Sequence, residues 1–247
     1  MVNRRISILY NEAALVINSQ NKSFFCVADL HLGYTPSPSI SLHNRRLIVE
    51  LADKIVKLSK MANAENLILL GDVKHTIARV TYSDRSLIDS FFATLRLFFK
   101  EIYLVLGKHD GSISRILPSY VKTIKKGFLL DNTYFMHGHT LPEPGVLKSN
   151  LIVMGHLHPL FYKEHSPLNG QRVWILMKLY LSKVFPGKEK MYKLIVMPSF
   201  NSEISFPLSP TYSPNLSSRI SPLLNRCKGD VLETKIISFD GTILAQV

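Results

Sequence analysis

Short apolar runs alternate with helical patterns through the first half of the chain. Ser23 to Ala28, Asn66 to Leu70 and Ile102 to Leu106 are apolar runs of the length that strands have. Between them, His43 to Met61 and Asp84 to Lys100 carry apolar residues at the three- and four-residue spacing of an amphipathic helix. The second helical pattern opens on a residue type that caps helices. This order of strand, loop and helix predicts an α/β fold.

Strands without helices between them dominate the two ends of the chain. At the start, Arg4 to Tyr10 and Ala13 to Asn18 flank Asn11-Glu12, which predicts a hairpin. Residues 199–221 are rich in Ser, Pro and Asn and are expected to form a loop. The remaining runs of strand length are 133–136, 151–154, 173–181, 191–197 and 231–239. With no internal repeat and no clear linker, we expect one domain over residues 1–247, built as two stacked sheets flanked by helices.

Composition indicates a globular chain. Of the 247 residues, 46% are hydrophobic and 19% are charged, which leaves ample material for a core. No stretch approaches the roughly 20 uninterrupted apolar residues of a membrane span. Asn11 and Glu12 interrupt the first apolar run, so we expect no secretory signal and a cytoplasmic location. The two cysteines, Cys26 and Cys227, form no metal motif, and Cys26 is expected to be a buried thiol.

The chain is strongly basic. Lys and Arg number 30 against 18 Asp and Glu, a formal net charge of +12. Such an excess favours polyanionic partners such as nucleic acid. The charge is spread over the sequence instead of forming a block, so an ordinary soluble surface explains it equally well.

Five short polar clusters follow apolar runs, and they hold seven of the nine histidines. The clusters are Asp29-Leu30-His31, Gly71-Asp72-Val73-Lys74-His75, Gly107-Lys108-His109-Asp110, His137-Gly138-His139 and Gly155-His156-Leu157-His158. Neutral imidazole and carboxylate groups are ligands of catalytic divalent metals. One such cluster alone is best explained by packing, but five after successive strands predict a metal centre built from several loops, because open α/β sheets carry their sites at the carboxyl ends of their strands.

The order of these clusters resembles the signature of the calcineurin-like metallophosphoesterases. That signature reads Asp-x-His, Gly-Asp, Gly-Asn-His-Asp, His and Gly-His-x-His, and here it stands as DLH, GD, GKHD, HGH and GHLH. The resemblance covers a motif-bearing core at about residues 23–160. C-terminal strands and the Ser/Pro-rich loop follow it over residues 161–247. The longer forms GDVKH, MPSFN and Ser-Pro-Leu-Leu at Ser221 look like the archaeal phosphoesterases related to the bacterial ligase-associated phosphoesterase.

The resemblance implies a four-layer α/β/β/α sandwich and a centre with two divalent metal ions. By it, Asp29, His31 and His158 hold the first metal, His137 and His156 hold the second, and Asp72 bridges both. His109 and Asp110 would be the catalytic residues, with His109, hydrogen-bonded to Asp110, acting on the leaving group. Mn²⁺ is the expected ion for these mixed ligands, with Mg²⁺, Ni²⁺, Zn²⁺ and Fe²⁺ as alternatives.

Lys108 is the one serious departure from the family pattern, which has Asn at this position. A protonated lysine has no acceptor atom and cannot take the place of an amide oxygen ligand. Four outcomes stay open: a weak second metal site, a fixed positive charge that binds the substrate phosphate in place of the metal, loss of activity, or a side chain that points to solvent.

Three further residues near the motifs have open roles. Lys74 and His75 follow the bridging Asp72, and each either contacts the substrate phosphate or lies on the rim without a role. His139 lies two residues beyond His137 and is placed to support a metal ligand.

The sequence therefore predicts a divalent-metal-dependent phosphoester hydrolase. The net charge and the resemblance favour a phosphodiesterase or nuclease-like enzyme, acting on nucleic acid or a nucleotide. A non-catalytic scaffold that keeps the fold, with a weakened second metal site, is the alternative that Lys108 keeps open. Neither the natural substrate nor the oligomeric state can be read from the sequence.

Overall fold

The computed structural model describes residues 6–19, 21–34, 41–77, 80, 82–204 and 221–247, and the side chains of 41–45, 83 and 84 are not among the described features. Thirteen strands and three α-helices lie within these ranges. The helices are α1 (Ser41–Met61), α2 (Tyr82–Arg96) and α3 (Pro222–Arg226). The strands are β1 (Ile6–Ile8), β2 (Leu15–Ser19), β3 (Lys22–Ala28), β4 (Asn66–Leu70), β5 (Glu101–Val105), β6 (Val121–Ile124), β7 (Gly127–Leu130), β8 (Thr133–Met136), β9 (Leu151–Met154), β10 (Trp174–Tyr180), β11 (Met191–Val196), β12 (Val231–Ile237) and β13 (Ile243–Gln246).

The strands form two mixed sheets. The first has the order β1-β2-β3-β4-β5-β6, and its strands β3 to β6 run parallel to one another. The second has the order β13-β12-β10-β11-β9-β8-β7, and in it β8, β9 and β11 are parallel. The predicted N-terminal hairpin is confirmed, since β1 pairs antiparallel with β2.

Alternation along β3 explains how the two sheets stack. Phe24, Cys26 and Ala28 lie in a buried cluster that also contains Phe135 and Val153 of the second sheet. The intervening side chains of β3 face the other way and pack in a cluster with the apolar faces of α1 and α2. Because successive side chains of a strand point to opposite faces, one apolar run serves two cores.

Helices flank the pair of sheets unevenly. The two long helices α1 and α2 cover the outer face of the first sheet. Within the described residues, the outer face of the second sheet packs against α3 and the 3-10 segment Pro144–Lys148. The predicted architecture of two stacked mixed sheets flanked by helices is confirmed. Within the described residues, the helical layer on the second sheet is much thinner than the layer that α1 and α2 form on the first.

Several predicted boundaries need correction. Helix α2 begins at Tyr82 and ends at Arg96, so Asp84 lies inside the helix and not at the predicted N-cap position. The short strands β6, β7 and β13 were not predicted, because each has only four residues and a partly exposed pattern without a long apolar run. Most of the predicted Ser/Pro-rich loop falls in 205–220, outside the described residues. No described helix is both long and apolar enough to span a bilayer.

Candidate metal centre

The polar clusters meet at one edge of the stacked sheets. Asp29 follows β3 directly and Asp72 lies two residues beyond β4, at the carboxyl ends of adjacent parallel strands. His137 follows β8 directly and His156 lies two residues beyond β9, again on adjacent parallel strands. Stacking of the two sheets brings both pairs together, and His137 Nε2 lies 3.0 Å from Asp29 Oδ1. The prediction that these clusters lie at strand ends is confirmed.

The backbone is left-handed at five of the six predicted ligands. The φ angles are 57° at Asp29, 45° at His31, 49° at Asp72, 72° at His156 and 44° at His158. Residues with a Cβ rarely adopt this conformation, and they keep it only where surrounding contacts enforce it. Here the Asp29 N–H donates to the Gly71 carbonyl and the His31 N–H to the Asp72 carbonyl. These hydrogen bonds hold the ends of the two strands together, and the tight turns direct the ligand side chains toward one another.

Two glycines of the motifs are required by close approach. A Cβ on Gly71, whose φ is +74°, would lie 2.3 Å from the ring of His137. A Cβ on Gly155 would lie 2.7 Å from both the Ala28 Cβ and Asp29 Oδ2. Only glycine lets the first and second sheets approach closely enough to share one site.

One group of four side chains forms the first candidate metal site. Asp29, His31, Asp72 and His158 each offer a ligand atom, and these atoms lie within 4.8 Å of one another. His31 Nε2 is 3.2 Å from His158 Nε2 and 3.8 Å from Asp72 Oδ2. All four residues are buried. The set combines two carboxylates with two imidazoles, which suits first-row divalent cations.

A second group of three shares Asp72 with the first. Asp72, His137 and His156 likewise offer ligand atoms within 4.8 Å of one another. His137 Nε2 lies 3.4 Å from Asp72 Oδ2. The Nδ1 atom of His156 is buried and has no hydrogen-bond partner in the described part of the chain. A buried imidazole nitrogen without a partner is costly unless a ligand satisfies it, so this donor set fits a metal ion.

Two of the proposed imidazole ligands are neutral in the metal-free protein and one is protonated. Burial lowers the pKa of His31 and of His156 to about 3, so both imidazoles are neutral at neutral pH. Burial also acts to lower the pKa of His137, but the charges and hydrogen bonds of Asp72 and Asp29 outweigh it and raise that pKa to about 10. In the metal-free protein, the protonated His137 therefore supplies a positive charge between the carboxylates of Asp29 and Asp72.

His109 and Asp110 do not form the predicted hydrogen bond with each other. The Asp110 carboxylate is buried and accepts backbone N–H groups of Gly107 (2.9 Å), Val73 (3.1 Å) and Lys74 (3.3 Å). Burial raises the pKa of Asp110 to about 6, while the Gly107 hydrogen bond acts to lower it. Asp110 thus ties the third cluster to the second.

His109 is oriented by a different partner. Its Nδ1 lies against the His75 carbonyl oxygen, and its backbone N–H donates to Asp72 Oδ1 at 2.7 Å. Its Nε2 lies 4.0 Å from Asp72 Oδ2, and the side chain is 20% exposed. The imidazole is therefore held by the His75 carbonyl at the partly exposed edge of the group of proposed ligands.

The two lysines of the motifs differ in environment. Lys108 is exposed, and no hydrogen bond or ion pair of its side chain is found among the described contacts. Lys74 is fully buried, and its Nζ donates to the Thr76 carbonyl. Because Lys74 is fully buried, it does not lie on the rim, and its contact with a substrate phosphate stays a prediction.

The other two histidines lie against the predicted ligands. His75 joins His31 and His109 in a third group that could hold a metal ion, and its Nδ1 is buried without a described hydrogen-bond partner. His139 Nδ1 lies 3.0 Å from His137 Nδ1. Burial, followed by the charge of His137, lowers the pKa of His139 to about 4, so it is a neutral support for His137.

Three buried polar residues outside the clusters hold the loops in place. Ser199 Oγ donates to the Asp29 carbonyl at 2.9 Å, and Asn201 Nδ2 to the Leu30 carbonyl at 2.9 Å. Ser221 Oγ donates to the Gly138 carbonyl at 3.1 Å. These residues belong to MPSFN and Ser-Pro-Leu-Leu, which sequence reasoning singled out without a role. For Ser199 and Asn201, the available signal was their position shortly after an apolar strand.

Comparison with known proteins agrees with this architecture. No family model and no curated protein matches the sequence. Among solved structures, nuclease MPE from Pseudomonas putida is similar over 76% of this chain and 88% of its own, with 16% identity and a TM-score of 0.50.

Two other solved structures match with lower scores. The phosphoesterase Yfce from E. coli aligns over 91% of this chain and 97% of its own, with 16% identity and a TM-score of 0.40. An archaeal phosphodiesterase aligns over 70% of this chain and 98% of its own, with 15% identity and a TM-score of 0.33. These two scores add nothing to the assignment, and the likeness to nuclease MPE concerns the fold alone. Taken with the two mixed sheets and the motifs at their common edge, that likeness shows that the chain has the calcineurin-like metallophosphoesterase fold.

Proposed function

We propose that the protein is a divalent-metal-dependent phosphoester hydrolase. The observation that carries the proposal is the pair of donor groups that share Asp72 at one edge of the sheets. In the proposed site, Asp29, His31 and His158 complete the first group, and His137 and His156 complete the second. Such overlapping groups suit a centre with two ions, because one carboxylate can bridge both.

The proposed chemistry divides between the ions and the chain. Two divalent ions held in these groups would neutralise the phosphoryl oxygens and lower the pKa of the attacking water. The chain supplies buried carboxylates and neutral imidazoles in fixed orientations, so little reorganisation accompanies binding. His109, oriented by the His75 carbonyl, has Nε2 available at the mouth of the site. In its protonated form this imidazole can donate a proton to the leaving-group oxygen.

We further propose that the substrate is a phosphodiester, with nucleic acid as the favoured class. The formal net charge of +12 supports a polyanionic substrate. The similar structure from Pseudomonas putida is named a nuclease, which agrees with this choice. A phosphodiester also has only one negative charge per phosphate, which lowers the demand on a second metal site.

A direct test uses metal-stripped protein with bis-(para-nitrophenyl) phosphate and para-nitrophenyl phosphate as alternative substrates. Addition of Mn²⁺ should start hydrolysis, with the diester preferred. Asp72→Asn should abolish it, because this removes the one carboxylate common to both groups. Asp89→Asn, the same substitution on an exposed residue of α2, is the matched control. Activity that survives exhaustive chelation would refute the metal-dependent mechanism.

The same assay separates the enzyme from a scaffold. The scaffold alternative rests on Lys108, which places an ammonium group where the family has an amide ligand. A protein that binds Mn²⁺ in a titration yet hydrolyses neither substrate would support the scaffold. Hydrolysis lost in Asp72→Asn and kept in Asp89→Asn would exclude it.

A further inference from the structure

A polar pocket of about 370 Å³ is lined by residues from loops that also support the candidate metal centre. Its wall includes Leu160, two residues beyond His158 along the chain. Ser202 and Ile204 form another part of the wall, and they follow the loop whose Ser199 hydroxyl donates to the Asp29 carbonyl. The pocket therefore shares its supporting loops with the proposed site, although none of the proposed metal ligands lines it.

Arg172 is the charged residue among the described residues that line this pocket. One terminal nitrogen, Nη1, donates to the Ser199 carbonyl at 2.6 Å and to the Phe200 carbonyl at 3.3 Å. The guanidinium lies over the Phe239 ring, 5.1 Å from its centroid. The other N–H groups of Arg172 have no hydrogen-bond partner among the described residues. A guanidinium anchored on one side and free on the other is already organised to bind an anion.

The described lining of the pocket also favours an anion. The described lining contains no carboxylate, and it adds the side chains of Gln171 and Ser202 as hydrogen-bonding groups. Glu12 is the acidic residue whose charge reaches Arg172, and it forms a 2.7 Å ion pair with Lys54. Lys54 thereby offsets much of the negative charge near the guanidinium.

We propose that this pocket binds a phosphate of the substrate strand that neighbours the phosphate to be hydrolysed. Arg172 donates to the phosphate oxygens, and Ser202 and Gln171 line the path of the attached sugar. The volume exceeds what a single phosphate fills, so the pocket suits a nucleotide unit of a polynucleotide. This inference rests on the proposed function and deepens it, because it distinguishes a strand from a small diester.

The sharpest test adds a charge without disturbing Arg172. Ser202 is exposed, so Ser202→Asp and its uncharged isostere Ser202→Asn should both fold. Binding of a fluorescent phosphorothioate oligonucleotide is measured by anisotropy with Mn²⁺ present. The Kd of Ser202→Asp should exceed that of Ser202→Asn about tenfold, because the carboxylate repels the phosphate. Equal Kd values for the two variants would overturn the proposal.

A second measurement separates binding from support of the loop. Arg172→Gln should flatten the slope of log Kd against log salt concentration by about 0.7, the value for one lost phosphate contact on a single strand. An unchanged slope with weaker binding would assign Arg172 a purely structural role and overturn the proposal. If wild type hydrolyses neither an oligonucleotide nor bis-(para-nitrophenyl) phosphate while the two Ser202 variants still differ in Kd, the pocket stands and the hydrolase assignment fails.

Discussion

Replacing Lys108 tests how the second metal site is completed. The first group supplies four side-chain ligands and the second only three, with Asp72 counted in both. Lys108 is exposed and contributes no acceptor. We therefore expect wild-type protein to bind one Mn²⁺ tightly and a second Mn²⁺ much more weakly.

Lys108→Asn adds a neutral oxygen at this position and removes a positive charge. Loss of a group that merely supports a ligand changes metal affinity about 10–100-fold, and a direct ligand should contribute at least as much. Tightening of the second site by about 10–100-fold corresponds to about 1.4–2.8 kcal/mol. The first site should hardly change, because none of its ligands is altered.

Lys108→Met is the matched control, because it removes the charge and adds no oxygen ligand. Metal-stripped samples of the three proteins would be titrated with Mn²⁺, and the free ion followed by electron paramagnetic resonance. The affinity of the second site should rise most in Lys108→Asn and only modestly in Lys108→Met. Equal gains in both variants would mean that the lysine charge alone weakens the site.

Two equivalent tight sites in the wild type would refute the reasoning from ligand count. Another group would then have to complete the second site. A different result bears on the substrate: if Lys108→Asn binds metal more tightly but hydrolyses the diester more slowly, Lys108 itself acts on the phosphate.

Five further outcomes follow from the site. His109→Ala should slow hydrolysis of poor leaving groups by roughly 10²–10⁴-fold with metal content unchanged, and loss of metal on dialysis would contradict its role. Asp110→Asn should lower the free energy of unfolding by about 1–3 kcal/mol in a denaturant titration, because an amide cannot accept all three backbone N–H groups; unchanged stability would refute this. Apparent Mn²⁺ affinity should rise with pH by up to tenfold per unit between pH 6 and 9, because the pKa of His137 in the metal-free protein is about 10 and its proton must leave before it can bind metal. Protonated His137 also stabilises the folded, metal-free protein. This contribution to the free energy of unfolding is fully present below about pH 6.5 and is lost as pH rises through about 10. A calorimetric Mn²⁺ titration without proton release would contradict both statements. Excess Zn²⁺ should inhibit the Mn²⁺-loaded protein through the group of His31, His75 and His109, and His75→Gln should raise the Zn²⁺ concentration that halves activity.

The sequence by itself determined the architecture and the location of the site. Apolar runs of four to six residues, each followed by Gly, Asp or His, predict strands whose carboxyl ends carry the polar clusters. This local pattern predicted β3, β4 and β9 closely, together with the clusters that follow them. The pattern is readable because the alternation of side chains in a strand and the chemistry of a ligand are both properties of short segments.

Only the tertiary structure decided which polar side chain meets which. His109 pairs with the carbonyl of His75, 34 residues away, and Asp110 closes the loop of the second cluster instead of orienting His109. Lys74 is buried although a lysine is normally an exposed residue, and Arg172 reaches Ser199 across 27 residues. Such pairings depend on how two sheets stack and how tightly their ends turn, so no local pattern encodes them. The physical reason is that a strand end determines where a side chain starts, while the opposite sheet determines what that side chain meets.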